Sequence, residues 1–242
     1  MIISEKQNGF LTLELLSDIE LFFSENVFSD SIILSDDEFH HCTKVFRKKI
    51  NDEIFVTDGK GNLFHCNIVE IKRNQLTAKI ISTHSRQEKF PNYFFCIPSL
   101  RNKDRFRFAF EKLIELGITK IILFKAQRSV ADKINADKLK KIAVETIKQS
   151  LQTILPNIVI IPSLNELNNS LGTKIIFDQK ADKKFDKQFV ENNHPTYFIF
   201  GPEGGLSDEE INLLDDKKIY SLADNRLRSE TAIIKVASII TL

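Results

Sequence analysis

The sequence has few cysteines, no long apolar segment and almost no net charge, and each shortage excludes a class of protein. Its three cysteines, Cys42, Cys66 and Cys96, are too few and too scattered for a disulfide framework or a paired metal-binding motif. No apolar run approaches the roughly 18 residues of a membrane span. No basic stretch followed by an apolar core marks a signal peptide at the amino terminus. We therefore expect a cytoplasmic protein with neither a membrane nor a metal as partner.

The net charge of +1, from 34 basic and 33 acidic residues, gives no support for a nucleic-acid partner. The charge is nevertheless uneven, because residues 99–148 contain 13 Lys and Arg but only 6 Asp and Glu. This stretch opens with Arg101, Lys103, Arg105 and Arg107, and a second basic cluster comprises Lys44, Arg47, Lys48 and Lys49. Such clusters can bind phosphates, but solvated helix faces have the same composition, so charge alone leaves RNA binding open.

Two patterns of predicted secondary structure divide the chain. About the first 90 residues predict short strands with a hairpin turn at 58–62, which is typical of a small β-barrel. A capping box of Ser35 and Glu38 predicts one short helix among these strands. After a polar linker, strands and helices alternate to the carboxyl terminus, which predicts a mostly parallel sheet covered on both faces. The longest predicted helix spans residues 137–154.

The first candidate site is the loop GPEGGLS at 201–207. The chain has only eight glycines, yet Gly201, Gly204 and Gly205 fall within five residues of one another. An apolar strand precedes the loop, and a capping box of Ser207 and Glu210 predicts a helix after it. Glycine serves where the backbone takes a positive φ or lies against a ligand, and open α/β sheets bind ligands at the carboxyl ends of their strands. A tight turn without a ligand would use the same residues.

The second candidate site is the loop at 223–229. It places Arg226 and Arg228 just before a predicted helix, whose free N–H groups favour anions. The alternative is that Glu230 only complements the helix dipole while both arginines are solvated. Neither loop has the spacing of a dinucleotide-binding or Walker motif. The sequence also contains no serine nucleophile elbow and no histidine placed for a catalytic triad.

The histidines and cysteines of the first half form a weaker candidate site. His40, His41, Cys42, His65 and Cys66 lie on a predicted helix and a predicted strand. They lack the close spacing of metal ligands, so we prefer packing or surface positions for them over a metal site.

At their spacing, the segments GPEGGLS and RLRSETA, behind a predicted β-barrel, resemble the RsmE family of bacterial methyltransferases in the SPOUT superfamily. The other matching segments are 41–47, 58–59, 105–106, 111–112, 115–117, 128–129, 149–150, and the single positions Glu145 and Pro156. The chain departs from the family pattern at Ala223, where members usually carry Gly. It departs again at Ser229, which is usually Thr, and at Gln152, which is commonly Arg.

The resemblance implies an α/β protein with two domains that acts as a homodimer. An amino-terminal extension (1–18) precedes a PUA-like β-barrel that binds RNA (19–84), a linker (85–91) and a SPOUT methyltransferase domain with a trefoil knot (92–242). The implied reaction transfers a methyl group from S-adenosylmethionine to N3 of a specific uridine in 16S ribosomal RNA, as free RNA or in the small subunit. The alternatives are another SPOUT enzyme, methylating a ribose 2′-O, and a non-catalytic RNA-binding factor of ribosome assembly.

The resemblance and the chemistry of the transfer together assign candidate residues. The predicted cofactor-binding residues are Phe177, Phe200, Gly201, Glu203, Gly204, Gly205, Leu222, Leu227 and Thr231. The predicted RNA-binding residues are Lys44, Arg47, Lys48, Lys49, Arg105 and Arg226. We predict that Arg228 stabilises the uridine anion that forms when the N3 proton leaves. Glu230 is predicted to orient Arg228 or to accept that proton.

Overall fold

The computed structural model describes residues 19–129, 135–191 and 193–242. They form two compact units. The first contains the described residues up to Gln87 and the segment Ile147–Leu155, and the second contains Glu88–Thr146 and Pro156–Leu242. The predicted extension at 1–18 lies outside the described residues. Within the described part of the chain, no helix is long and apolar enough to cross a membrane.

The first unit is built on a five-stranded sheet. Its strands are β1 (Leu21–Phe23), β2 (Ser31–Ser35), β3 (Glu53–Thr57), β4 (Asn62–Ile71) and β5 (Gln75–Ser85), in the order β1-β3-β4-β5-β2. Only the β1–β3 pair is parallel. The two edges approach each other, since Ser24 Oγ donates to the Ile33 carbonyl at 2.6 Å. The sheet therefore curls around an apolar core, as the predicted barrel requires.

One short helix follows β2, but it does not begin as predicted. Helix α1 (Asp36–His40) runs directly into a π-helical turn at His41–Val45. Ser35 makes no capping hydrogen bond, so the predicted capping box is absent. Glu38 is used elsewhere, because its Oε2 accepts from the Phe23 amide at 3.0 Å and its Oε1 pairs with Lys148. The Glu38 carboxylate thus makes contacts with distant parts of the sequence instead of the local cap.

The second unit is built on a six-stranded sheet that is entirely parallel. Its strands are β6 (Tyr93–Pro98), β7 (Lys120–Phe124), β8 (Asn157–Ile161), β9 (Thr173–Phe177), β10 (Thr196–Phe200) and β11 (Lys217–Tyr220), in the order β11-β9-β10-β6-β7-β8. Every residue of β10 is buried, as expected of a central strand in a parallel sheet. Because all six strands point the same way, the loops after β9, β10 and β11 emerge at one edge.

In the described part of this unit, the α-helices are α2 (Lys103–Glu115), α3 (Ala136–Gln149), α4 (Asp208–Asn212) and α5 (Ser229–Thr241). Asn102 caps α2, since its Oδ1 accepts from the Asp104 and Arg105 amides at 3.0 Å. The predicted capping box of Ser207 and Glu210 begins α4. Helix α5 packs against α2 and β10. Single 3-10 turns occur at Leu164–Asn169 and Lys187–Phe189.

The end of α3 corrects the prediction of a helix over 137–154. The helix ends at Gln149, and Leu151 takes a φ of +54°. The following residues pair with the β3–β4 hairpin of the first unit, to which they belong. The Gly61 amide donates to the Thr153 carbonyl at 2.9 Å, and the Leu155 amide donates to the Gly59 carbonyl at 2.7 Å. These backbone bonds between distant parts of the sequence end a helix that the local apolar spacing would have continued.

Candidate functional site

A cavity of about 780 Å³ lies at the carboxyl ends of the strands in the second unit. Most of its walls come from three loops, which follow β9, β10 and β11. Their lining residues fall within the segments 176–180, 200–206 and 222–229. The two candidate loops predicted from the sequence therefore lie side by side and line one cavity.

The loop after β10 owes its shape to its glycines. A Cβ on Gly201 would lie 3.0 Å from the Leu206 amide nitrogen and 3.1 Å from Gly205, because the chain folds back on itself there. Gly205 takes a φ of +71°, which L-residues rarely adopt, and its amide donates to the Pro202 carbonyl at 2.8 Å. The path of the loop along the cavity thus depends on glycine at these two positions.

Two residues from the loop after β7 hold this glycine loop from outside. Arg128 Nη1 donates to the carbonyls of Gly204 and Leu206, both at 3.2 Å. The Gln127 amide donates to Glu210 Oε1 at 2.9 Å, so the carboxylate that caps α4 also anchors the neighbouring loop. Arg128 lines the cavity as well. Sequence reasoning did not select it as a site residue, since its partners lie more than 70 positions away.

The loop after β11 is joined directly to the glycine loop. Ser229 Oγ donates to the Gly201 carbonyl at 2.7 Å, and Arg226 Nη2 donates to the Glu203 carbonyl at 3.3 Å. Lys235 Nζ donates to the Leu222 carbonyl at 2.7 Å, which ties the start of the loop to α5. The first two bonds join segments that the sequence separates by more than 20 residues.

Most of the predicted cofactor-binding residues meet in this cavity. Those that line it are Phe177, Phe200, Gly201, Glu203, Gly204, Gly205, Leu222 and Leu227. Thr231 does not line it and is exposed on α5. The cavity also includes Asp178, Gln179 and Lys180, which the sequence reasoning missed. Their position directly after the buried strand β9 was the available signal.

The two predicted catalytic residues lie apart. Arg228 lines the cavity as the N-cap residue of α5. Its guanidinium is exposed and has no ion-pair or hydrogen-bond partner among residues 19–129, 135–191 and 193–242. Glu230 is 8% exposed and does not line the cavity, and its Oε1 lies 3.6 Å from Arg105 Nε. The predicted contact from Glu230 to Arg228 is thus replaced by an ion pair with Arg105.

The remaining predicted RNA-binding residues lie in the first unit. Lys44, Arg47 and Lys49 are exposed, on and just after the π-helical turn. Lys48 is less available, because its Nζ lies 3.7 Å from Glu20 Oε2 and donates to the Glu53 carbonyl at 3.3 Å. The cluster therefore presents three solvated cations and one tethered lysine on a short segment.

The cysteines are packed in the two cores. All three are free and buried. Burial raises the pKa of the Cys42 thiol to about 11 and that of the Cys66 thiol to about 12, and it also raises the pKa of Cys96. A thiol that stays protonated is a poor nucleophile and a poor metal ligand. Among the described residues, no group of three His, Cys, Asp or Glu could hold a metal ion.

Comparison with known proteins gives a consistent result over both units. Residues 88–241 match the family model described as an RNA methyltransferase domain, and residues 34–81 match the RNA methyltransferase PUA domain. The chain is 27% identical over 209 residues to ribosomal RNA small subunit methyltransferase E of Rickettsia conorii. That alignment covers 84% of this chain and 85% of that protein.

Two solved structures share the fold over nearly the whole chain. One is a "predicted RNA methyltransferase" from Thermotoga maritima, with a TM-score of 0.74 and 29% identity over 92% of this chain and 97% of that one. The other is ribosomal RNA small subunit methyltransferase E from Neisseria gonorrhoeae, bound to S-adenosyl methionine. Its TM-score is 0.77, with 24% identity over 91% of this chain and 95% of that one. The α/β fold predicted from the sequence is thereby confirmed.

Proposed function

Because the chain belongs to the RNA methyltransferase family, and within it to the RsmE family, we propose that it methylates N3 of a uridine in 16S ribosomal RNA. The methyl donor is S-adenosylmethionine, and the substrate is 16S RNA, free or in the small ribosomal subunit. The observation that carries the proposal is the joining of the loops after β10 and β11 into one cavity.

The cavity fits such a cofactor in size and in chemistry. Its volume of about 780 Å³ lies within the range of small-molecule sites, roughly 300–1,000 Å³. Phe177, Phe200 and Leu227 offer apolar surface for a nucleoside, and Gly201 and Gly205 bring backbone close to the cavity. Asp178 and Glu203 place carboxylates on its wall, which suits a cation. When bound, S-adenosylmethionine supplies an electrophilic methyl group on a positively charged sulfur.

The protein's part in the reaction is positioning and charge stabilisation. Removal of the N3 proton leaves a negative charge spread over O2 and O4 of the uracil. Arg228 is suited to stabilise that charge, because it carries a permanent positive charge and lines the cavity at the start of a 13-residue helix. Glu230 has an indirect role, because its carboxylate forms an ion pair with Arg105. Arg226 on the same loop is the proposed phosphate contact.

The first unit binds the surrounding RNA through its basic cluster. Lys44, Arg47 and Lys49 present exposed charges, to which Lys48 adds a fourth. We expect simultaneous change of these four residues to Glu to raise the KM for the RNA substrate. The slope of log affinity against log salt should also become shallower, by roughly 0.7 to 0.9 for each phosphate that the protein no longer neutralises. An unchanged slope in filter binding would show that this basic cluster does not bind the RNA.

We further propose that the protein works as a homodimer in the cytoplasm, as the resemblance to the family implies. Phe108, on α2 of the second unit, is a large apolar side chain that is 48% exposed, which is consistent with an interface between two copies. Light scattering coupled to size-exclusion chromatography tests this, because a dimer has twice the 27.9 kDa mass of one chain. A mass of one chain at assay concentrations would contradict it.

Transfer of a labelled methyl group tests the proposed function. Small subunits whose 16S RNA lacks the modification are incubated with the protein and tritiated S-adenosylmethionine, and the RNA is then digested to nucleosides. We expect the label in N3-methyluridine. Label in a 2′-O-methylated nucleoside would assign the chain to ribose methylation instead. RNA binding without cofactor binding in calorimetry would indicate the non-catalytic assembly factor.

A further inference from the structure

A second cleft, of about 450 Å³, opens in the same unit as the cofactor cavity. It is lined by Arg101, Asn102, Arg105 and Glu203. The first three come from the loop after β6 and the start of α2, and Glu203 comes from the glycine loop after β10. The strands β6 and β10 are neighbours in the sheet, so their carboxyl-terminal loops meet there.

The two arginines of this cleft differ in how they are held. Arg105 Nε lies 3.6 Å from Glu230 Oε1, and the Glu230 side chain is only 11% exposed. Arg101 is exposed and has no ion-pair or hydrogen-bond partner in the described part of the chain. The first amides of α2 are already satisfied by Asn102 Oδ1. The guanidinium groups, and not free helix amides, are therefore what the cleft offers to an anion.

The cleft adjoins the cofactor cavity at one residue. Glu203 lines both spaces, and its carbonyl accepts a hydrogen bond from Arg226. Glu230, which holds Arg105, lies two positions after Arg228 on α5. A molecule in the second cleft therefore lies next to the cofactor cavity, with Glu203 between the two spaces.

We propose that this cleft binds a backbone phosphate of the RNA next to the methylated nucleotide, with Arg101 and Arg105 as its ligands. The proposal rests on the proposed function. A uridine must be unstacked before its N3 can enter a cavity, so its flanking phosphate needs a fixed anchor close by. Guanidinium groups match phosphate geometry and stay charged. Glu203 does not attract phosphate, but its carboxylate can accept a hydrogen bond from a ribose hydroxyl of the same nucleotide.

The decisive variant is Arg101→Ala, because this exposed side chain can be removed without leaving a buried charge. We expect the KM for small subunits to rise roughly tenfold. The salt slope for binding a short single-stranded, uridine-containing RNA should become shallower by about 0.7, while the Kd for S-adenosylmethionine stays within about twofold. Arg105→Lys, which keeps the charge, should retain the slope. Arg107→Ala on the same helix is the matched control, since Arg107 is already paired with Glu111 at 2.6 Å.

The outcomes separate this proposal from the proposed function. If the wild-type protein methylates N3 and Arg101→Ala leaves both KM and salt slope unchanged, the cleft proposal is overturned while the function stands. If the wild-type protein transfers no methyl group, the function fails, and the salt slope of the variant still decides whether the cleft binds RNA. If Arg107→Ala changed the KM and the salt slope as much as Arg101→Ala, the effect would come from the general loss of positive charge, and the cleft proposal would also be overturned.

Discussion

The two loops that line the cofactor cavity are held in different ways. The loop after β10 is fixed along its length, by its own turn at Gly205 and by Arg128 from the loop after β7. The loop after β11 is tied near its two ends, through the Leu222 carbonyl and Ser229, and between them by the bond from Arg226 to the Glu203 carbonyl. Between its two ends it presents Arg226 and Arg228, both exposed. The comparison indicates that the first loop sets the shape of the site and the second sets its charge.

Among the variants that test this division of roles, Arg228→Ala is expected to have the largest effect. Removing a preorganised group that stabilises developing charge lowers turnover by roughly 10²- to 10³-fold. We expect that loss in kcat, measured with saturating cofactor, with the Kd for S-adenosylmethionine changed by less than about twofold. Arg226→Ala on the same loop is the comparison, and it should raise the KM for RNA with little change in kcat. A kcat of Arg228→Ala near that of the wild type would contradict the proposal that Arg228 stabilises the developing negative charge.

A glycine substitution tests the shape of the first loop. In Gly201→Ala the new methyl group lies 3.0 Å from a backbone nitrogen, so the loop must shift. We expect the Kd for S-adenosylmethionine to rise roughly 10- to 100-fold in calorimetry, since small misplacements are costly in a preorganised site. In Gly205→Ala the methyl group meets nothing within 4 Å, and only its φ of +71° is strained. That variant should lose less cofactor affinity than Gly201→Ala, about 1 kcal/mol. A greater loss in Gly205→Ala than in Gly201→Ala would contradict the proposed role of the loop's shape.

A smaller effect than that of Gly201→Ala is expected at Arg128, which holds the glycine loop. Arg128→Ala removes two hydrogen bonds to loop carbonyls, and we expect the cofactor Kd to rise roughly tenfold. Arg128→Lys should recover part of that loss, because an ammonium group still donates hydrogen bonds. The recovery should be incomplete, because the ammonium lacks the planar fork of donors that a guanidinium has. RNA affinity in filter binding should stay at the wild-type value. If RNA affinity fell and cofactor affinity did not, Arg128 would belong to the RNA surface instead.

The parts of the fold that were predicted correctly depend on local patterns. Ser207 and Glu210 stand three residues apart, so their capping box could be read from the sequence and is present. The apolar strands likewise predicted a parallel sheet. The end of α3 could not be predicted, because the hydrogen bonds of Thr153 and Leu155 reach the distant hairpin at Gly59 and Gly61.

The candidate site shows the same limit. The glycines near 201–205 predicted either a loop that lies against a ligand or a tight turn, and the structure places that loop on the wall of the cavity. The partner of Glu230 was not predictable, because Arg105 lies 125 positions earlier in the chain. Arg128 was missed for the same reason. A sequence shows which backbone is unusual, whereas pairings between charged side chains depend on how distant loops meet.

Calorimetric titration with S-adenosylmethionine tests the central claim most directly, because that claim is a single methyl-donor cavity made by two loops. We expect one saturable binding event per chain in the wild-type protein, and markedly weaker binding in Gly201→Ala when both proteins are titrated below their melting temperatures. Absence of binding by the folded wild-type protein, or equal affinity in both proteins, would contradict it.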